Sequence, residues 1–193
     1  MNLPVKTTMD DVDKVVAYLK SKPTGATVAE AKGIIDAKHL NGRKLNAYRT
    51  WGLITHEGDR ISLTDDGRRI ARQPDERSNV LLGAIDRLRP YRAAIEWAHH
   101  QGFDTITLED LAAQWHTHHS EAIGQVSETS LKDAVTCFFN LAEGAALGTY
   151  ILGRRGTPTR LELDKSAVAR FAEAGPSVPP LGRPRSGSSR RRG

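Results

Sequence analysis

The chain has 193 residues, 38% hydrophobic and 26% charged, a globular composition with no apolar run near the ~20 residues of a bilayer span and no signal-peptide layout over 1–13, so a cytoplasmic protein without membrane contacts is expected. Its single cysteine, Cys137, excludes an intramolecular disulfide framework and a multi-cysteine zinc site, and is expected as a small buried side chain. The net charge of +5 sits in the tail at Arg183, Arg185, Arg190, Arg191 and Arg192, leaving a neutral body with 13 Lys and Arg against 9 Asp and Glu up to Pro74, then 10 against 14.

Val12, Val15, Val16 and Leu19 recur at helical spacing, with acids at the start and lysines at the end, which predicts an amphipathic helix over 9–20. Pro23 to Gly25 end it. Thr27 and Glu30 form a capping-box signature for a short helix through Val28, Ala31 and Ile35. After a turn near 37–41, Leu45, Tyr48 and Trp51 predict a third helix over 38–51, stopped by Gly52. Glu57, Gly58 and Asp59 then separate two short β-branched runs, a hairpin signal over 54–63, and Thr64 caps a helix through Arg68 and Ile70.

Leu45-x-x-Tyr48-x-x-Trp51-Gly52-Leu53-Ile54, followed by the segment 61–71 after the hairpin, resembles the recognition-helix end and wing exit of winged helix-turn-helix domain proteins. The resemblance covers about 9–72. It implies that the third helix enters a DNA major groove while the wing approaches the backbone or minor groove.

In the second half, Leu81, Leu82, Ile85 and Leu88, then Tyr91, Ala94, Ile95 and Ala98, predict a connecting helix kinked or split at Pro90. Thr107 caps a helix carrying Leu108, Leu111, Ala112 and Trp115, and Ser127 caps one through Leu131, Val135, Phe138 and Ala142. Strands at 150–152 and 159–163 flank a Gly/Arg/Pro turn, a short helix covers 166–174, and disorder is expected for 175–193. The architecture read from this order is mainly α with small β-hairpins. It comprises a winged helix-turn-helix unit at 1–74, a connecting helix plus a winged-helix-like unit at 75–174, and a basic tail. With Ser127 to Ser130 and Phe138 to Leu141 before the second hairpin, the whole chain resembles prokaryotic tandem winged-helix proteins of unknown function.

If Leu45, Tyr48 and Trp51 face the core, the third helix presents Asn41, Arg43, Lys44, Asn46, Ala47, Arg49 and Thr50, with Arg60 at the wing and His56 beside it. Arginine pairs with guanine, asparagine with adenine and lysine with phosphate, so double-stranded DNA is the expected partner and transcriptional regulation the expected role. Asp65 and Asp66 oppose that attraction. The alternative is a protein-protein interaction module or adaptor built on winged-helix domains. The second unit offers phosphate a more acidic helix, with Glu128, Lys132, Asp133, Thr136, Asn140 and Glu143 exposed, and only Arg154, Arg155 and Arg160 attractive at its hairpin. Phe138 and Phe139 widen the apolar stripe of their helix, offering a homodimer interface through 75–174, with packing of Phe139 against the 78–101 helices as the alternative. His99, His100, His116, His118 and His119 cluster in sequence, yet only His116 and His119 share a helical face, so no metal or other cofactor is expected. The chain lacks Walker, G-x-G-x-x-G, G-x-S-x-G and H-E-x-x-H motifs, so the reading is non-catalytic.

Overall fold

A computed structural model describes residues 3–124 and 126–176. The first helix, α1 (Met9–Lys20), opens where Thr8 and Asp11 close a capping box, and turns Val12, Val15, Val16 and Leu19 inward. The predicted box of Thr27 and Glu30 opens α2 (Val28–Lys32), which stops short of Ile35. A 3-10 turn (Ala37–Leu40) and an extended Asn41 precede α3 (Gly42–Thr50). The helix expected over 38–51 is therefore shorter, because the Asn41 side chain accepts from the Arg43 and Lys44 amides and fixes the start there.

The hairpin is formed by β2 (Ile54–Glu57) and β3 (Arg60–Leu63), and Thr64 caps α4 (Asp65–Arg72) as its position predicts. A third strand, β1 (Ala26–Thr27), pairs with β3 and gives the antiparallel order β1-β3-β2. The connecting helix is split into α5 (Arg77–Arg87) and α6 (Arg89–Gln101) by an extended Leu88. Pro90 lies in the first turn of α6, where its missing N–H is not needed.

The second half contains β4 (Thr105–Thr107), α7 (Leu108–His118), α8 (Ser120–Ile123), α9 (Glu128–Gly144), β5 (Gly148–Ile151), β6 (Arg160–Leu163) and α10 (Lys165–Glu173). Its sheet order, β4-β6-β5, repeats that of the first. The recurrence extends to single bonds. Val28 N donates to Asp59 O as Leu108 N does to Thr159 O, and Thr64 N donates to Leu53 O as Asp164 N does to Leu147 O. The protein is thus mainly helical with two small antiparallel sheets.

One apolar cluster runs from Leu3 to Val168, so the boundary after residue 74 divides the sequence and not the core. The join lies where α9 meets α1 and α5: a Cβ on Gly144 would stand 2.7 Å from Met9 Sδ and 2.9 Å from a Leu81 methyl. Cys137, on the same helix, is buried, and its Sγ lies 3.5 Å from the Thr7 carbonyl. The disorder expected for 175–193 falls outside the described residues except at Gly175 and Pro176.

Candidate nucleic-acid interface

Helix α3 is held by its apolar side. Leu45, Tyr48 and Trp51 are buried as their spacing predicts, and Tyr48 Oη donates to the His39 carbonyl at 2.8 Å. Ala47 is also buried, one turn before Trp51, and does not belong to the outer face where the sequence pattern placed it. At the far end Gly52 takes φ +71°, and Arg87 Nη2 donates to the Trp51 carbonyl at 2.9 Å. The end of α3 is thereby fastened to the connecting helix.

Lys44 is diverted from the outer face. Its Nζ donates to Asp11 Oδ1 at 2.5 Å, and only 14% of its side chain is exposed. His39 Nδ1 stands 2.7 Å from the same oxygen, and the Thr8 backbone and hydroxyl donate to Oδ2. A carboxylate can only accept, so Asp11 sets Nδ1 as the protonated ring nitrogen of His39. Burial alone would raise the Asp11 carboxyl, but the bonds from Lys44, Thr8 and His39 outweigh it and hold the group below its usual range. Lys44 orients the helix against α1 and is not a free phosphate ligand.

Arg60 is also occupied. Opposite Thr27 at the start of the central strand, it reaches back along the β1 side, and Nη1 donates to the carbonyls of Thr24 at 3.0 Å and Gly25 at 3.4 Å. The exposed hairpin tip shows phosphate Glu57 and Asp59 instead, with His56 half-buried beside it. Asp65 and Asp66 are less repulsive than their sequence suggests: Asp65 pairs with Arg68, and Asp66 with Arg69 and Arg87.

What remains on α3 is Arg43 and Arg49, both exposed, with Asn46 and Thr50 half-exposed between them and no acid in the helix. Asn41 is exposed, but its side-chain oxygen caps the helix and its Nδ2 donates to the Lys38 carbonyl. Arg49 donates to Asn46 Oδ1 at 3.2 Å, aligning two groups that can read base edges.

The equivalent helix of the second half is held on more sides, though Glu128, Lys132, Asp133, Thr136, Asn140 and Glu143 keep an outer face toward water. Eight residues of α9 are buried, and it packs against α1, α5, α7 and β5. Phe138 lies against Tyr91 at 4.9 Å and Trp115 at 5.7 Å, and Phe139 lies against Phe138 and Tyr150, each at 6.1 Å. Both rings are fully buried, which corrects their placement at an interface with a second copy. The polar residues of α9 are engaged locally: Lys132 with Glu128, Asp133 with Lys6, and Glu143 with the Tyr150 amide. Arg160 pairs with Glu162, whereas Arg154 and Arg155 stand exposed on the loop between β5 and β6.

Among the described residues no three His, Cys, Asp or Glu side chains converge to hold a metal ion, and no helix is long and apolar enough to cross a membrane. Compared with protein families, curated proteins and solved structures, the chain has no significant match.

Proposed function

We propose that this chain is a non-catalytic DNA-binding protein, built as two tandem winged-helix units and acting as a transcriptional regulator. The observation that carries this reading is the outer face of α3. There Arg43 and Arg49 stand exposed without an acidic partner among the described residues, on a helix whose opposite face is locked by Leu45, Tyr48 and Trp51. A rigid helix presenting two guanidinium groups and an amide is suited to base-edge readout. The occupation of Lys44 and Arg60 shifts the balance from phosphate attraction toward direct readout, so the non-specific, salt-sensitive contribution of α3 and the hairpin is weak.

Selection of genomic fragments by the full chain at about 150 mM salt, where unspecific electrostatic binding is suppressed, tests the reading. A defined sequence should be enriched. Arg43→Ala and Arg49→Ala should each lower affinity for it by about 1–3 kcal/mol, with unfolding midpoints unchanged. Lys44→Ala should instead lower stability. The acidic hairpin tip, Glu57 and Asp59, favours a second reading, a protein-protein interaction module. Equal recovery of all fragments by wild type and both arginine variants would leave that reading in place of the first.

A further inference from the structure

Beside the outer face of α3 the surface folds into a cavity of about 320 Å³. Its apolar wall is drawn from distant segments: Leu3 and Val5 before α1, Ile123 at the end of α8, Val126 before α9, and Leu131 and Ala134 on α9. Val126 is 41% exposed at this wall, so an occupant would cover apolar surface that now meets water. Gly42, the first residue of α3, also lines it, and a Cβ there would meet nothing within 4 Å.

The polar residues of the lining are Arg43, Asn46 and Ser130, without a single acid. The guanidinium of Arg43 has no partner among the described residues. The Asn46 carbonyl accepts from Arg49, which leaves its amide hydrogens to donate. Ser130 Oγ accepts from Ser127 Oγ at 3.0 Å, which leaves its own hydrogen to donate. Three donors, one of them charged, thus border an apolar recess at the small end of the ligand-cavity range. The fork of one arginine matches a planar carboxylate in both charge and shape.

We propose that this cavity binds a small apolar monocarboxylate, its tail against Leu3, Val5, Ile123 and Leu131 and its carboxylate on Arg43, Asn46 and Ser130. Because Arg43 also belongs to the face assigned to DNA, ligand and duplex exclude one another. That exclusion rests on the DNA-binding reading, whereas the binding of the carboxylate does not.

The test is a titration of the full chain, methyl-labelled, with octanoate, 4-phenylbutyrate and the neutral octanamide, followed by NMR. Saturable shifts are expected at the methyls of Leu3, Val5, Ile123, Val126 and Leu131. Octanoate should bind about tenfold more tightly than octanamide, a margin that Arg43→Leu removes. Gly42→Leu should fill the recess and abolish binding of all three probes, and Ser130→Leu, on α9, does the same if the first variant fails to fold. Shifts that do not saturate, that fall on other methyls, or that are equal for octanoate and octanamide overturn the proposal. Release by octanoate of the DNA that the wild type selects would establish the exclusion. A chain that selects no DNA but passes the titration would refute the DNA reading and leave the cavity assigned.

Discussion

At the scale of single residues, Asp11 ties α1 to the helix that carries the candidate DNA face. Buried and accepting from Thr8, His39 and Lys44, it is both a capping residue and one end of a nearly buried ion pair. Asp11→Asn removes the charge while keeping the shape, and should cost about 2–4 kcal/mol in urea unfolding at neutral pH. The folded-state carboxyl is held below its ordinary range, so its stabilisation is complete above the unfolded value of about 4 and is lost as pH falls through the lowered one. Wild type should therefore lose stability more steeply than Asp11→Asn as pH falls below about 4. Cys137 is the contrasting buried group. Burial pushes its thiol up to about 12, so native protein at pH 8 should resist iodoacetamide and become alkylated only in step with unfolding.

At the scale of elements, the two halves end their third helices with the same pair of bonds and different residues. Gly52 N donates to Arg49 O and Leu53 N to Tyr48 O, while Ala146 N donates to Glu143 O and Leu147 N to Ala142 O. Both reversals need a left-handed residue, glycine at φ +71° in the first and alanine at φ +58° in the second. The substitutions should act in opposite directions. Ala146 is exposed and loses no packing, so Ala146→Gly should stabilise by about 0.5–1 kcal/mol. Gly52→Ala should destabilise by at least about 1 kcal/mol, since its new methyl would also stand 2.8 Å from Arg87 Nη2. Thermal unfolding of the two variants measures both signs.

At the scale of the whole molecule, the same order of elements appears twice but the halves do not do the same work. α3 turns a polar face without acids to water, whereas α9, with a mixed and paired outer face, packs against α1, α5, α7 and β5 and joins the halves. With one core between them, Trp51 in the first half and Trp115 in the second should report a single unfolding transition in variants that keep only one tryptophan. Phe139→Ala, in the second half, should lower that shared midpoint for both reporters, at a cost of about 3–5 kcal/mol. Separate midpoints would show two independently stable units.

The sequence by itself determined the local elements and their caps. Thr27, Thr64, Thr107 and Ser127 each accept from an amide three residues on, and the residues predicted inside α1, α3 and α7 are buried, Leu108 only in part, because helical periodicity is a property of neighbouring residues. The exposed pair Arg43 and Arg49 was legible for the same reason. Strands β1 and β4 were not, since two or three residues show no alternation and exist only through pairing with β3 and β6. Tertiary structure alone decided which polar groups stay free: Lys44 is claimed by Asp11, 33 residues away, and Arg60 by the carbonyl of Thr24, 36 residues away. It also buried Phe139, and it gathered Leu3, Arg43, Ile123 and Leu131 around one cavity. No spacing rule encodes such meetings, because they depend on how separate helices pack and not on the repeat of any one of them.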